Sequence, residues 1–541
     1  MLAAFIFYAL LFIALLVVPA GLILVALLFL EHERRLWQRV TGAIGPVGRI
    51  LMRLPVVAGL GTRFPRTARF LIRRLDPRDP WGLPATLAAV AIFLGMWFFL
   101  GVLQDIVAKD PLVILDIRLH NSVPLFRNAG MTQFMLVCTE LGGAASLSLL
   151  CLGIALLALA RGRQRLAATF ILALVATSLL SASLKAAIGS ARPLDAIIGA
   201  NEASFPSGHL LSGTVVYGLL AALLLASRAR FWVRAFGVTI LLLVIVGIGL
   251  SRLYLGVHWP SDLLASLALA LIVLAALLFF LYYAQPVRWI DTFTLPMSPR
   301  ALGIAGKSAL VISLGATAVL ASQTKLILVE PRLATQFLDI RALRTSLPVG
   351  MPRWTEDLVG GRMEPISLVL VGSEGDLLQA FTRVGWARAD PPTPVRVLEE
   401  GIAAMRSLPD PTGPATPAYF MDRPQSLTFE KPDAGSPSIR RRHHTRVWQT
   451  PYCVSPNCRR VWVGSASFDV GLELSERLYI PTHRIDPEVD IERTLIVADL
   501  TKSGAAREGL VVVSPPVRGK NAGGDPFWTD GQAVVLVLPQ R

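Results

Sequence analysis

Long apolar runs separated by short polar stretches organise the first 322 residues. A helix that crosses a bilayer needs about 20 largely apolar residues. Eight stretches fit: 3–30, 82–104, 143–160, 166–187, 209–227, 235–251, 262–283 and 301–322. The first is no cleavable signal, because it lacks a basic start, its apolar run is too long and no small-residue cleavage site follows. From 323 onward the pattern changes: prolines multiply and charges of both signs return. Four short β-branched runs, Ile366–Val371, Thr494–Val497, Leu510–Val513 and Ala533–Leu538, predict strands. Glu374–Val384 predicts a short helix among them. The expected fold is an all-α polytopic membrane helical bundle of about eight spans with a C-terminal soluble α+β domain. The expected segments are 1–80 (first span and basic stretch), 81–285 (bundle), 286–322 (linker and last span) and 323–541 (soluble domain).

Charge gives this plan a direction. Hydrophobic residues make up 53% of the 541 and charged ones 16%, against roughly 25% charged in soluble proteins. The formal charge of +15 is concentrated in alternate loops: 31–80 hold eleven Arg, and 161–165 and 228–234 hold three each. Short basic loops stay in the cytoplasm. That rule puts the amino terminus outside, and 188–208 and 252–261 outside with it. Residues 31–80, which mix Arg with Leu, Ile, Phe and Trp, read as an interfacial anchor on the headgroups. Nucleic acid is excluded as a partner, because no aromatic-basic platform or helix-turn-helix pattern accompanies the charge.

Three stretches on that outer side carry chemistry. Lys185 and Arg192-Pro193 close the fourth apolar run, with Gly189 and Pro193 breaking the helix between them. Pro206-Ser207-Gly208-His209 opens the fifth, where free backbone N–H groups make an anion site. Gly208 allows close approach there, and Ser207 adds a hydroxyl donor. Ser251-Arg252 ends the sixth run; His258 then precedes Pro260, which suits a first helical turn, and Asp262 lies four residues past His258. Three cations can neutralise the oxygens of a phosphomonoester. One imidazole can attack phosphorus while the other protonates the leaving alkoxide. Asp262 can hold the tautomer of His258 as a triad carboxylate does, which makes His258 the nucleophile and His209 the acid. A snorkelling Arg or an interfacial His accounts for any one of these residues, but not for eight together.

These residues resemble the type 2 phosphatidic acid phosphatase and vanadium haloperoxidase superfamily over roughly 80–285. The resemblance implies a helical bundle and a reaction without metal or cofactor. It implies phosphate binding by Lys185, Arg192, Ser207, Gly208 and Arg252, and catalysis by His209, His258 and Asp262. A site between spans suits a membrane lipid phosphate, such as phosphatidic acid or a polyprenyl diphosphate, as substrate, and the phospholipid bilayer as surroundings. The expected activity is a lipid phosphate phosphatase of the bacterial inner membrane, with the site and the C-terminal domain on the periplasmic side. A lipid-linked phosphotransferase, or a scaffold with a vestigial site, is the alternative. Asp195 and Glu202 read as solvated loop acids. Oligomeric state leaves no mark on the sequence.

Residues 323–541 resemble an LssY-type carboxy-terminal domain. Arg440-Arg441-Arg442-His443-His444-Thr445-Arg446-Val447-Trp448, Pro481-Thr482-His483-Arg484 and Asp525-Pro526-Phe527-Trp528 carry that resemblance. The arginine run reads as a solvated basic face. Cys453 and Cys458 are expected to pair outside the membrane, with a zinc site built with His443, His444 and His483 as the alternative. Cys138 and Cys151 are expected to pack as small apolar residues.

Overall fold

The computed structural model describes most of residues 79–541, leaving out 110, 200–201, 284–289, 291, 328–334, 392–393, 407, 436–437, 475–480 and 541. Of residues 1–78 it describes only a few between 64 and 74. The expected first span and most of the interfacial stretch therefore lie outside the described residues. The described residues divide into two compact units: those from 64 to 108 together with 128–329, and 109–127 together with 330–541.

The first unit is helical. Its elements are α1 (Leu83–Ala108) and, beyond the short α2 (Pro111–Ser122) of the other unit, α3 (Ala129–Leu141), α4 (Ala144–Leu159), α5 (Gln164–Ile188), α6 (Gly208–Leu225), α7 (Phe231–Tyr254), α8 (Pro260–Tyr283) and α9 (Pro299–Gln323). Six of them, α1 and α5 to α9, are long and apolar enough to cross a membrane. α3 and α4 qualify only as a pair, bent by 47° at Gly142-Gly143. Among the described residues the count is thus six, or seven with the bent pair; the expected span at 3–30 lies outside them. Large apolar side chains stay exposed along these helices, including Phe93, Trp97, Leu179, Leu243 and Leu314, as lipid-facing surfaces require. Small residues let helices approach: a Cβ on Gly153 of α4 would lie 2.9 Å from the Gly306 carbonyl oxygen of α9, the backbone proximity typical of membrane helix pairs.

The second unit is built on a nine-stranded mixed sheet. It uses β1 (Gln336–Leu338), β4 (Leu368–Val371), β5 (Ala387–Arg388), β8 (Leu427–Pro432), β9 (Arg442–Val454), β10 (Arg459–Leu474), β11 (Pro481–Ile485), β12 (Ala506–Val512) and β15 (Gln532–Val537). The main order is β12-β15-β4-β10-β9-β8-β5, with β1 on β9 and β11 on β10. β4 is buried at all four positions, as a central strand covered on both faces must be. A smaller sheet of β2 (Trp354–Glu356), β3 (Arg362–Pro365), β6 (Tyr419–Phe420) and β7 (Arg423–Pro424) accompanies it, with a ribbon of β13 (Val517–Lys520) and β14 (Pro526–Thr529). The helices are α10 (Ile340–Leu343), α11 (Glu374–Arg383), α12 (Pro394–Arg406) and α13 (Val489–Lys502). α11 coincides with the expected helix and starts at a capping box on Ser373 and Asp376, which satisfies free N–H groups of the first turn.

Two expectations fail in this unit. Thr494–Val497 is no strand; it lies inside α13. Buried Val489, Arg493, Ile496 and Leu500 recur three to four residues apart, and Asp490 and Glu492 stand in the first turn, where acids favour a helix. Four β-branched or apolar residues were too short a run to reveal that period. The arginine run is not a wholly solvated face either, although Arg441 is exposed. β9 and β10 pair so that Arg442 faces Asp469 and His444 faces Ser467, and Arg442 and Arg446 are buried. Arg446 donates to both carboxylate oxygens of Glu364, and Arg442 pairs with Glu430, Asp469 and Glu400. The expected pairing of Cys453 and Cys458 is present as a disulfide within the β9–β10 hairpin, and the histidines meet carboxylates. His443 meets Glu492, and His444 and His483 meet Asp469. Cys138 and Cys151 are free and buried.

Candidate active site

The three sequence stretches meet at the ends of α5 to α8. α5 stops after Lys185 because Gly189 takes a left-handed conformation (φ 62°) at its C-cap, donating to the Lys185 carbonyl at 3.0 Å; glycine adopts that conformation without a Cβ penalty. The freed chain turns Arg192 inward. Arg192 donates through Nε to the Glu202 carbonyl (2.6 Å) and through Nη1 to the Val257 carbonyl (2.5 Å). Nη1 also lies 3.4 Å from His258 Nε2.

Ser207 is the N-cap of α6. Its backbone N–H donates to Ser266 Oγ at 2.8 Å, and Ser266 donates to the Asp262 carbonyl at 2.6 Å. These two bonds tie the start of α6 to the first turn of α8. The Ser207 hydroxyl is buried and has no partner among the described residues. A buried polar atom left unsatisfied is costly, so a donor in this position calls for an acceptor that arrives with a ligand. Gly208 allows close packing, since a Cβ there would sit 3.1 Å from Ser181 Oγ. His209, half-buried, follows in the first turn of α6.

Arg252, in the last turn of α7, is buried and donates through Nη1 to Thr139 Oγ1 of α3 at 2.7 Å. Its Nε has no partner among the described residues. His258 is 1% exposed. Its Nδ1 lies 3.2 Å from Asp262 Oδ2 and 3.3 Å from Ser204 Oγ. Asp262 Oδ2 also accepts from the Trp259 backbone N–H at 2.9 Å and from the Ser204 hydroxyl. Three donors therefore fix that carboxylate before any substrate arrives. Burial, then the positive charges of Arg252, Arg192 and Lys185, hold the His258 imidazole well below its ordinary value of 6.5. It stays neutral near pH 7, the state in which a ring nitrogen is nucleophilic.

Sequence reasoning missed some of these contacts. Ser204 binds both Asp262 and His258, and a serine two residues before a proline gives no signal for that. Thr139 and Ser266 lie in apolar helices as isolated hydroxyls. Glu202 is not a bystander: its carboxylate pairs with Lys185 Nζ at 2.6 Å, and that contact pulls its carboxyl below the ordinary range.

Residues 166–286 match the PAP2 superfamily, and residues 349–533 match the family described as LssY C-terminus. The chain carries a PAP2 superfamily domain. All eight candidate residues fall within the PAP2 match, and the arginine and histidine run on β9 falls within the LssY C-terminus match. A relative from Escherichia coli described as "Putative undecaprenyl-diphosphatase YbjG" is 40% identical over 73 residues, 14% of this chain and 32% of its own. The chain thus spans about a third of the length of that relative. A solved structure, a transmembrane PAP2 type phosphatidylglycerolphosphate phosphatase from Bacillus subtilis, is 22% identical. It is matched over 35% of this chain and 93% of its own, with a TM-score of 0.30.

Proposed function

We propose that the PAP2 domain is an integral-membrane phosphatase that hydrolyses lipid phosphates through a phosphohistidine on His258. The observation that carries this reading is the split use of one imidazole. Nδ1 is held by Asp262 and Ser204, while Nε2 faces Arg192 at 3.4 Å. Lys185, Arg192 and Arg252, with the Ser207 hydroxyl and Arg252 Nε that have no partner among the described residues, then supply the donors that a phosphoryl group needs.

The proposed reaction runs in two balanced steps. Nε2 of His258 bonds to phosphorus, the ester P–O bond breaks, and His209 gives its proton to the leaving alkoxide. Water then attacks the phosphohistidine, His209 takes the water proton, and the P–N bond breaks to release phosphate and neutral His258. Asp262 stabilises the imidazolium formed in between. Membrane-anchored substrates suit a site at helix ends; the undecaprenyl-diphosphatase and phosphatidylglycerolphosphate phosphatase descriptions of the two relatives belong to the same chemical class. The basic-loop rule places the site and the C-terminal domain outside the cytoplasm.

The test is phosphate release from phosphatidic acid, phosphatidylglycerol phosphate and polyprenyl diphosphate vesicles, with EDTA present, for wild type and His258→Ala. Turnover that survives EDTA and vanishes in the variant supports the proposal. Turnover abolished by EDTA, or retained by the variant, contradicts it. Transfer of labelled phosphoryl to a lipid or sugar acceptor would reassign the domain as a transferase.

A further inference from the structure

Between α1 and the bent pair the chain makes an excursion, 109–127, that packs with 330–541 as one compact unit. α2 in this excursion buries its polar side. Asp116, Arg118, His120 and Ser122 are all 5% exposed or less, whereas Ile114 stays exposed. Arg118 is fully engaged by the C-terminal domain: Nε donates to Asp422 Oδ1 at 2.9 Å, Nη1 donates to the Asp357 carbonyl at 2.6 Å, and Nη2 pairs with Glu356. Its guanidinium also lies over the Tyr419 ring at 5.6 Å. Asn121 donates to the Asp422 carbonyl at 2.8 Å, and Ser122 Oγ meets the Tyr419 hydroxyl at 2.9 Å.

These partners come from β2, the turn after it and the β6–β7 hairpin. The hairpin tip, Met421-Asp422, holds two non-glycine residues in the left-handed region (φ 50° and 59°), a conformation that persists where surrounding contacts enforce it. Here Asp422 is committed to α2 through both its side chain and its carbonyl.

We infer that α2 is a built-in element of the C-terminal domain, its Arg118 seated in an acidic and aromatic socket. Residues 109–127 and 330–541 therefore share one side of the bilayer. A crossing count follows. Between 127 and 330 lie five single-helix candidate spans, α5 to α9, and the bent pair α3–α4. A chain that returns to its starting side crosses an even number of times, so the bent pair is the sixth crossing and not a re-entrant loop. The same count makes the C-terminal ends of α5 and α7, with Lys185 and Arg252, emerge into the compartment that holds the C-terminal domain. This inference is independent of the proposed reaction.

The experiment uses the full chain in sealed membrane vesicles of known orientation and a maleimide that cannot cross lipid. Single cysteines are introduced at Pro124, at the fully exposed Val349 and at the exposed Arg163 between α4 and α5. Pro124→Cys and Val349→Cys are expected to label from one side, and Arg163→Cys from the other. Labelling of the first two from opposite sides overturns the shared compartment. Labelling of all three from one side overturns the sixth crossing. For the socket itself, Arg118→Glu is expected to speed tryptic cleavage of the C-terminal domain by about tenfold or more, since it sets a buried acid against Glu356 and Asp422. Asp422→Arg in the same chain is expected to restore resistance. Unchanged cleavage in Arg118→Glu, or no rescue, overturns the socket.

Discussion

Asp262→Asn isolates the part of the site that does not touch substrate. The substitution keeps the shape of the side chain and can still accept from the Trp259 N–H and the Ser204 hydroxyl, but it removes the negative charge. That charge matters when His258 becomes a phosphorylated imidazolium. At the 3.2 Å separation of Nδ1 and Oδ2, and with an effective dielectric of about 20, the attraction is about 5 kcal/mol. At 1.36 kcal/mol per tenfold, the step slows by about 10³–10⁴-fold. A comparable loss is documented for the corresponding Asp→Asn change in a serine protease triad. Because Lys185, Arg192, Arg252 and Ser207 still meet the phosphate, the loss belongs in kcat, with KM little changed. The assay is initial phosphate release in proteoliposomes, with folding checked by thermal melting. A kcat within tenfold of wild type, or a loss confined to KM, would refute the assignment of Asp262 as the partner of the nucleophile.

Further outcomes follow from the same geometry. Ser207→Ala should lower kcat/KM by about 10²-fold with little change in melting temperature, because its hydroxyl bonds no described residue and would act only on the transferred group; steady-state kinetics and melting curves check this. The His258 imidazole is held below 6.5, so lowering the pH should not remove the nucleophile until well under that value; an acidic limb of kcat/KM at or above 6.5 contradicts it. Burial, opposed by Arg442 and reinforced by Asp469 and Glu400, raises the Glu430 carboxyl from 4.5 to about 8. Its proton is bound more tightly folded than unfolded, so its stabilising contribution is complete below 4.5 and lost as pH rises through about 8. Glu430→Gln should therefore lessen the fall in the C-terminal domain's melting temperature between pH 6 and pH 9. Gly531 has φ 75°, and a Cβ there would meet the Ser514 carbonyl oxygen at 2.1 Å; Gly531→Ala should cost more than about 1 kcal/mol, measured by denaturant unfolding.

Much of the membrane unit was legible because its physics is local. Hydropathy over some 20 residues fixes where α1 and α5 to α9 run, and the short spacings around Lys185, His209 and His258 mark helix ends where charge can meet an anion. What local pattern could not show is pairing across distance. Ser204 joins the Asp262–His258 pair, and Glu202 reaches Lys185, across a fold that brings distant segments together. α2 gave no signal in the sequence, because the acids that engage Arg118, Glu356 and Asp422, lie some 240 to 300 residues away. In the C-terminal domain the strands β4, β12 and β15 announced themselves by β-branched runs. The buried charges of Arg442 and Arg446 did not, because their carboxylate partners come from other strands and from α12.

The most direct test of the proposed chemistry is to trap the intermediate. Purified protein is mixed with a phosphate-labelled lipid, quenched in base within one turnover and mapped by mass spectrometry. The account predicts an acid-labile, base-stable phosphoryl group on His258, absent from His258→Ala. Label on another residue, or active protein that never carries a phosphoryl group, would contradict it.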